Sequence, residues 1–157
     1  MPFEETQRLE TQRFGRIAYQ PESVIVFSAG LPGFEDRHRF LAVQLPDTKP
    51  LVFLQSLEDP GLCFATLPVL AVEPGYRLRL GGEDLERLGF SGGLQPRIGT
   101  DVLCLAILSL RSSGPTANLL APVVVNVKNL KAVQAVMGDS GYSHRHSLVL
   151  QGAAVCS

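Results

Sequence analysis

Apolar positions along this chain fall in short runs separated by Gly, Pro, Asp and Ser, and the period inside the runs is that of strands rather than helices. Residues 23–27, 40–45, 51–57 and 63–67 are rich in β-branched or aromatic side chains and are bounded by turn formers, so each predicts a strand. Residues 76–80 alternate cleanly, with Arg77 and Arg79 on one face and Tyr76, Leu78 and Leu80 on the other. That alternation predicts a strand with one wet face. Residues 102–110 are apolar on both alternating sets, the pattern of a central strand covered on both sides. Periodicity alone also admits a short buried helix there; we read it as a strand.

Helical signals are few. Residues 83–88 open with acidic side chains, place Leu85 and Leu88 on a shared face and are followed by Gly89, which can end a helix. A single helical turn is expected over residues 35–39. Turn punctuation every ~8–12 residues leaves little room for crossover helices. The expected fold class is therefore all-β and mostly antiparallel: a small closed or partly open β-barrel, or a sandwich, with one or two short helices. Loops at 91–96 and 112–115 are too short to separate domains, so residues 1–157 read as one domain, with 1–7 and 152–157 as frayed ends.

Composition narrows the class. The chain has 157 residues, 45% of them hydrophobic and 18% charged, which suits a globular core. Its 14 Lys and Arg against 15 Asp and Glu give a net charge of −1, so the clustered cations of a direct nucleic-acid binder are missing. Arg8, Arg13 and Arg16 read as a solvated strand face. Cys63, Cys104 and Cys156 are odd in number and without paired spacing, which argues against a disulfide framework and fits a reducing cytoplasm. Cys63 and Cys104 lie in apolar runs and are expected as core thiols. The N-terminus carries no signal-like pattern, and the longest apolar stretch, 102–108, is far short of the ~20 residues of a membrane helix. A cytoplasmic protein with no membrane segment is expected.

Candidate chemistry is sparse. Gly30-Leu31-Pro32-Gly33 has the look of a phosphate loop, but Phe34, Glu35 and Asp36 follow and would repel phosphate. A tight turn with positive-φ glycine, anchored by burial of Phe34, is the better account. His144 and His146 share one side of an extended segment, yet a tight metal site needs a third and usually a fourth ligand, and His38 and Cys156 qualify only if the fold brings them close. No Gly-x-Ser-x-Gly elbow is present, and Cys63 and Cys104 read as buried rather than as the partly exposed, electropositive thiols that nucleophilic catalysis needs. No catalytic residue, metal or cofactor is expected. Gly114-Pro115 and Ala121-Pro122 frame a β pattern in which Asn118 caps a turn and Pro122 sets entry into a strand at 123–125.

Three segments together say more than any one of them: Gly30-Leu31-Pro32-Gly33-Phe34-Glu35, Leu54-Gln55-Ser56-Leu57-Glu58-Asp59-Pro60, and Thr116-Ala117-Asn118-Leu119-Leu120-Ala121-Pro122 running into Val123-Val124-Val125-Asn126. With the closing Tyr142-Ser143-His144-Arg145, their order and spacing resemble the flagellar assembly factor FliW family from about residue 9 to about 148. The resemblance implies a small cytoplasmic protein that binds flagellin and, when released from it, binds and antagonises the translational regulator CsrA. Flagellin synthesis would then be controlled by partner exchange, without catalysis. Two departures stand out: residues 128–136 keep Gln134 but lack the glycine of the family's Gly-Lys-Gln-like stretch, and His146-Ser147 stands where His-Pro is common.

Phe34, Glu35, Asp36, Glu58, Asp59, Tyr142 and Arg145 belong to or flank these segments in expected loops, and they are the candidate partner-binding residues. Tyr142 and Arg145 are hot-spot types, whereas the acids suit rim contacts to a basic partner. The alternative class is a small β-barrel enzyme or ligand carrier with its site in the barrel mouth. A side-chain-filled interior favours the binding module; a polar cavity lined by His38, His144 or Cys63 favours the rival.

Overall fold

The computed structural model describes residues 6–148. Strands β1 (Gln7–Thr11) and β2 (Gly15–Tyr19) form a hairpin, followed by β3 (Ile25–Phe27), β4 (Arg39–Val43), β5 (Val52–Ser56) and β6 (Cys63–Pro68). Helices α1 (Val69–Val72) and α2 (Gly82–Leu88) come next, then β7 (Val102–Arg111), β8 (Gly114–Ala117), β9 (Val123–Asn126), β10 (Lys131–Gln134) and β11 (His146–Ser147). Strands β7, β6, β5, β4, β3, β10 and β9 pair in that order, and β9 pairs back onto β7 to close a barrel. Only β3 and β10 run parallel; the other pairs are antiparallel, as expected for the class. The far half of β7 leaves the barrel to pair with β8, which carries β11.

Closure explains the composition of β7. Leu105 opposes Pro68 on β6 and Val123 on β9, so this strand has neighbours on both edges. Its odd-numbered residues, Leu103, Leu105 and Ile107, join the barrel interior with Ile25, Phe27, Phe40, Leu54, Val123 and Val125. Its even-numbered residues, Val102, Cys104 and Ala106, face an outer layer containing Val69 of α1, Leu85 and Leu88 of α2, and Tyr76 and Leu80. Both alternating sets are therefore apolar because both faces are covered. The interior is filled: Phe27, Phe40, Leu54, Leu105 and Val123 are fully buried, and the rings of Phe27 and Phe40 meet edge to face at 5.4 Å. Each such side chain contributes roughly 1.5–3 kcal/mol through burial.

The hairpin lies against the outside of β5. Phe14 packs edge-on to Phe53 at 5.4 Å, the Arg13 guanidinium sits 5.5 Å from the same ring, and the Gln12 N–H donates to the Pro60 carbonyl at 3.1 Å. Arg13 is thus part of the packing, unlike Arg16, which pairs with Glu10 at 2.6 Å on the exposed face. Gln7, assigned from sequence to a frayed end, pairs with Tyr19 as the first residue of β1. Residues 1–5 and 149–157, which include the expected frayed tail and Cys156, lie outside the described residues.

Helix α2 matches its sequence signals. Glu83 and Asp84 occupy the first turn, Leu85 and Leu88 are buried, and Gly89 closes it at φ 89°. The Leu88 carbonyl accepts hydrogen bonds from Asn126 Nδ2 at 2.8 Å and Asn129 Nδ2 at 3.1 Å, which ties the helix end to the β9–β10 turn. Burial in this layer raises the Asp84 carboxyl, against the attraction of Arg87.

Further expectations require correction. Residues 76–80 alternate in burial as foreseen but enter no ladder. Side chains take the place of a neighbouring strand: Arg77 N–H donates to Tyr142 Oη at 2.8 Å, Arg79 N–H to Met137 Sδ at 3.4 Å and Leu80 N–H to Gln95 Oε1 at 2.7 Å. Residues 35–39 form no helical turn, because Arg37 N–H closes a turn onto the Phe34 carbonyl and Arg39 already belongs to β4. Cys63 is half-buried at the start of β6, whereas Cys104 is a core thiol as expected. Burial pushes the Cys104 thiol up to about 12 and raises that of Cys63, with Arg13 opposing the second effect. Helix α1 was not legible in sequence; it turns the chain where Pro68 ends β6. Among the described residues no helix is long and apolar enough to cross a membrane.

Candidate functional site

Two loops meet at the barrel end where β3 and β5 finish and β4 and β6 begin. The first is the tight turn of residues 30–35. Leu31 and Phe34 exchange backbone hydrogen bonds of 2.7 and 3.3 Å, with Gly30 at φ 69° and Gly33 at φ 84°. A Cβ on Gly30 would lie 2.5 Å from the Glu35 carbonyl oxygen, so the turn is too tight there for any side chain. The Glu35 carboxylate folds back to accept the Gly33 N–H at 3.0 Å. Phe34 is not buried as the turn reading required: it is 37% exposed, its ring edge-on to Phe64 at 5.5 Å. A large apolar side chain therefore stands at the rim with one face open.

The second loop joins β5 to β6. Ser56 Oγ accepts the N–H groups of Glu58 and Asp59, both at 3.0 Å, and Asp59 Oδ1 accepts that of Gly61 at 3.0 Å. Beneath it the fully buried Gln55 donates from Nε2 to the carbonyls of Ser56, Pro60 and Leu62 at 3.0, 3.4 and 3.2 Å. Buried carbonyls need such partners, so a glutamine in an otherwise apolar strand is explained by the loop it holds.

Charged groups join the two loops. Glu58 Oε1 accepts the N–H of His38 at 2.7 Å and of Arg39 at 3.2 Å, and its other oxygen is 3.6 Å from the Arg39 guanidinium. Partial burial alone would raise the Glu58 carboxyl; the two N–H donors and Arg39 outweigh it and hold it below the usual range. Arg37 bridges Asp36 at 2.6 Å and Asp59 at 3.6 Å, and its bond to Asp36 raises an already high pKa. Five of the seven candidates, Phe34, Glu35, Asp36, Glu58 and Asp59, are thus brought onto one rim. Four carboxylates face two guanidiniums, leaving a local excess of negative charge on a chain that is nearly neutral overall. Arg37 and Arg39 were missed as members of this site, although their interleaving with the acids was a usable signal.

Tyr142 and Arg145 lie elsewhere. Tyr142 packs in the outer layer, its ring stacked on Tyr76 and its hydroxyl accepting the Arg77 N–H. Arg145 is exposed, with its N–H donating to Ser143 Oγ at 2.9 Å and no ion pair among the described residues. His38 Nδ1–H donates to the Phe27 carbonyl at 2.8 Å, a structural bond. Among the described residues no three His, Cys, Asp or Glu side chains are grouped to hold a metal ion.

Two of the surface depressions are large and open. One, of about 900 Å³, lies at the opposite barrel end beside the hairpin, among Tyr19, Ile25, Val43, Leu103, Val125 and Leu130. The other, of about 950 Å³, runs along residues 76–81 in the outer layer. His38, His144 and Cys63, the residues that would have marked an enzymatic or carrier site, line neither.

Fold and site together define a small closed β-barrel with a side-chain-filled interior and a charged two-loop rim, and comparison with known proteins places it. The profile of the FliW protein family matches residues 7–148. "Flagellar assembly factor FliW" of Treponema pallidum is 34% identical over 150 residues, spanning 92% of this chain and 93% of that protein. The protein of the same name from Bacillus pumilus is 33% identical over 94% of this chain and 99% of its own length. The solved "Crystal structure of the flagellar assembly factor FliW" superposes with a TM-score of 0.80 at 30% identity, covering 92% of this chain and 98% of that one. The chain belongs to the FliW family.

Proposed function

We propose that this protein is a flagellar assembly factor that binds cytoplasmic flagellin and, once released from it, binds and antagonises the translational regulator CsrA. Family membership supports the first part. The observation that carries the second is the rim to which Glu35, Asp36, Glu58 and Asp59 belong together with the partly exposed Phe34. An apolar centre within an acidic border suits a basic protein partner, because the border steers encounter and the ring supplies contact area. Control by partner exchange is linkage between two binding equilibria and requires no cofactor or covalent step. Flagellin would contribute a helical segment that lays an apolar face along a groove. The rival reading, a carrier or enzyme with a site in the barrel mouth, is disfavoured by an interior already filled by Phe27, Phe40, Leu54 and Leu105.

Calorimetric titration of purified CsrA and purified flagellin into the protein, separately and in sequence, tests this reading. Both should bind, and saturating flagellin should weaken the apparent affinity for CsrA. Glu35→Lys with Asp36→Lys should weaken CsrA binding by roughly tenfold or more at low salt. If neither partner binds the folded protein, the proposal fails.

A further inference from the structure

The extended segment at residues 76–80 has an unfinished backbone edge. On one side, Arg77 and Arg79 donate their N–H groups to Tyr142 Oη and Met137 Sδ. On the other, the side-chain amide of Gln95 makes a two-point contact with Leu80: Oε1 accepts its N–H at 2.7 Å and Nε2 donates to its carbonyl at 2.9 Å. That pair of bonds is what a neighbouring antiparallel strand supplies at a hydrogen-bonded position. The next position on the same edge is Leu78, two residues back. Among the described residues its N–H and carbonyl have no partner. Tyr76, the position before it on this edge, has its N–H committed to the Glu73 carbonyl at 3.0 Å, so Leu78 is the open position, and open donor and acceptor groups are a template for another chain.

A depression of about 950 Å³ is lined by residues 76–81 and by Gln95, which stands at this edge. Its charge specifies the occupant. Arg77 and Arg79 are exposed on one face of the segment, roughly 7 Å apart by strand geometry, and neither guanidinium has an ion pair among the described residues. Arg97 also lines the groove but is committed to Asp101 at 3.3 Å, and Asp139 is the acid in its lining. Exposed Leu70 and Val136 add apolar walls.

We propose that this edge binds an extended segment of a partner polypeptide in which acidic and aliphatic side chains alternate. Its backbone pairs with Leu78 beyond the Gln95 amide, its acids meet Arg77 and Arg79, and its aliphatic residues alternate onto the other face, the one that carries Tyr76, Leu78 and Leu80. The inference does not use the acidic rim on which the CsrA reading rests, because it concerns a different surface of opposite charge.

The test uses the isotopically labelled full chain and three octapeptide probes: alternating Glu-Val, alternating Lys-Val, and the Glu-Val peptide N-methylated at alternate residues. The Glu-Val peptide should shift the amide resonances of Leu78, Arg79 and Gln95 and slow hydrogen exchange at Leu78. The Lys-Val and N-methylated probes should bind at least roughly tenfold more weakly, since each lacks one of the two recognition elements. Arg77→Glu with Arg79→Glu should weaken Glu-Val binding by a similar factor at unchanged melting temperature; if that variant unfolds, Arg77→Ala with Arg79→Ala replaces it. The proposal is overturned by absence of shifts at millimolar Glu-Val peptide, by equal binding of the Lys-Val probe, or by an unchanged affinity in a folded arginine variant. Protection of Leu78 that grows with protein concentration alone would assign the edge to a second copy of this chain and likewise overturn it.

Discussion

Tyr142 stacks on Tyr76 with ring centroids 4.3 Å apart and planes 20° from parallel, joining residues 66 positions apart in sequence. The Tyr142 hydroxyl accepts the Arg77 N–H at 2.8 Å, while Tyr76 donates its own to the Leu119 carbonyl at 2.6 Å. Burial raises the Tyr76 phenol well above its ordinary value, so it stays a donor throughout the stable range. A residue chosen as a hot spot by type is therefore also a clasp of the outer layer. Tyr142→Phe keeps the stack and should cost about 0.5–1.5 kcal/mol for the lost acceptor. Tyr142→Ala should cost about 2 kcal/mol, below the range for a fully buried ring. Denaturant unfolding checks both, and equal stability of the two variants would show that the stack contributes nothing.

Gly30 and Gly33 both have positive φ but differ in surroundings: a Cβ meets the Glu35 backbone at the first and nothing within 4 Å at the second. Gly33→Ala should destabilise by about 1–2 kcal/mol from conformation alone. Gly30→Ala adds a backbone clash and should cost clearly more or prevent folding. Thermal melts of the two variants decide the order.

Glu58 ties the two loops, and its lowered pKa fixes the sign of a pH effect. Stabilisation from its bonds is complete above the ordinary carboxylate range and disappears as pH falls through the lowered folded value. Glu58→Gln should be less stable than wild type by about 1 kcal/mol at neutral pH. That gap should shrink on acidification below the ordinary glutamate value, which denaturant unfolding across an acid series measures. A gap that widens would reverse the assignment. The same bonds make Glu58 a poor position for a binding test, whereas the largely exposed Asp36 is a better one.

Asn118 Oδ1 accepts the N–H groups of Leu120 and Ala121 at 3.1 and 2.9 Å. Asn118→Ala should lower stability by about 1–2 kcal/mol, because two amide groups lose their acceptor. Asn118→Asp retains an acceptor and should be milder. Similar losses in both would mean that the carbonyl oxygen is not what matters.

Cys104 is buried with its thiol pushed up to about 12, and Cys63 is half-buried with its thiol raised by the same desolvation. Alkylation of the folded protein followed by peptide mass spectrometry should label Cys63 before Cys104. Reductant and chelator should each shift the melting temperature by less than the roughly 4 °C that 1 kcal/mol produces in a domain of this size.

Local chemistry determined much of this protein before any tertiary contact was known. The runs that became β3 to β7, the double-sided apolarity of residues 102–110, the acidic start and glycine stop of α2, and the positive-φ glycines at 30 and 33 are all properties of neighbouring residues. So is the grouping of Phe34 with Glu35 and Asp36. What remained undecided was which backbone group would meet which partner. Residues 76–80 have the alternation of a strand, yet Tyr142, Met137 and Gln95 claim their amides, and no period within five residues encodes side chains 15 to 65 positions away. Tertiary structure likewise folded Glu58 onto the amides of His38 and Arg39, opened one face of Phe34, and set Tyr142 in the outer layer. Burial periodicity is fixed by the side chains themselves; hydrogen-bond partnership is fixed by barrel closure, which brings distant segments to the same edge.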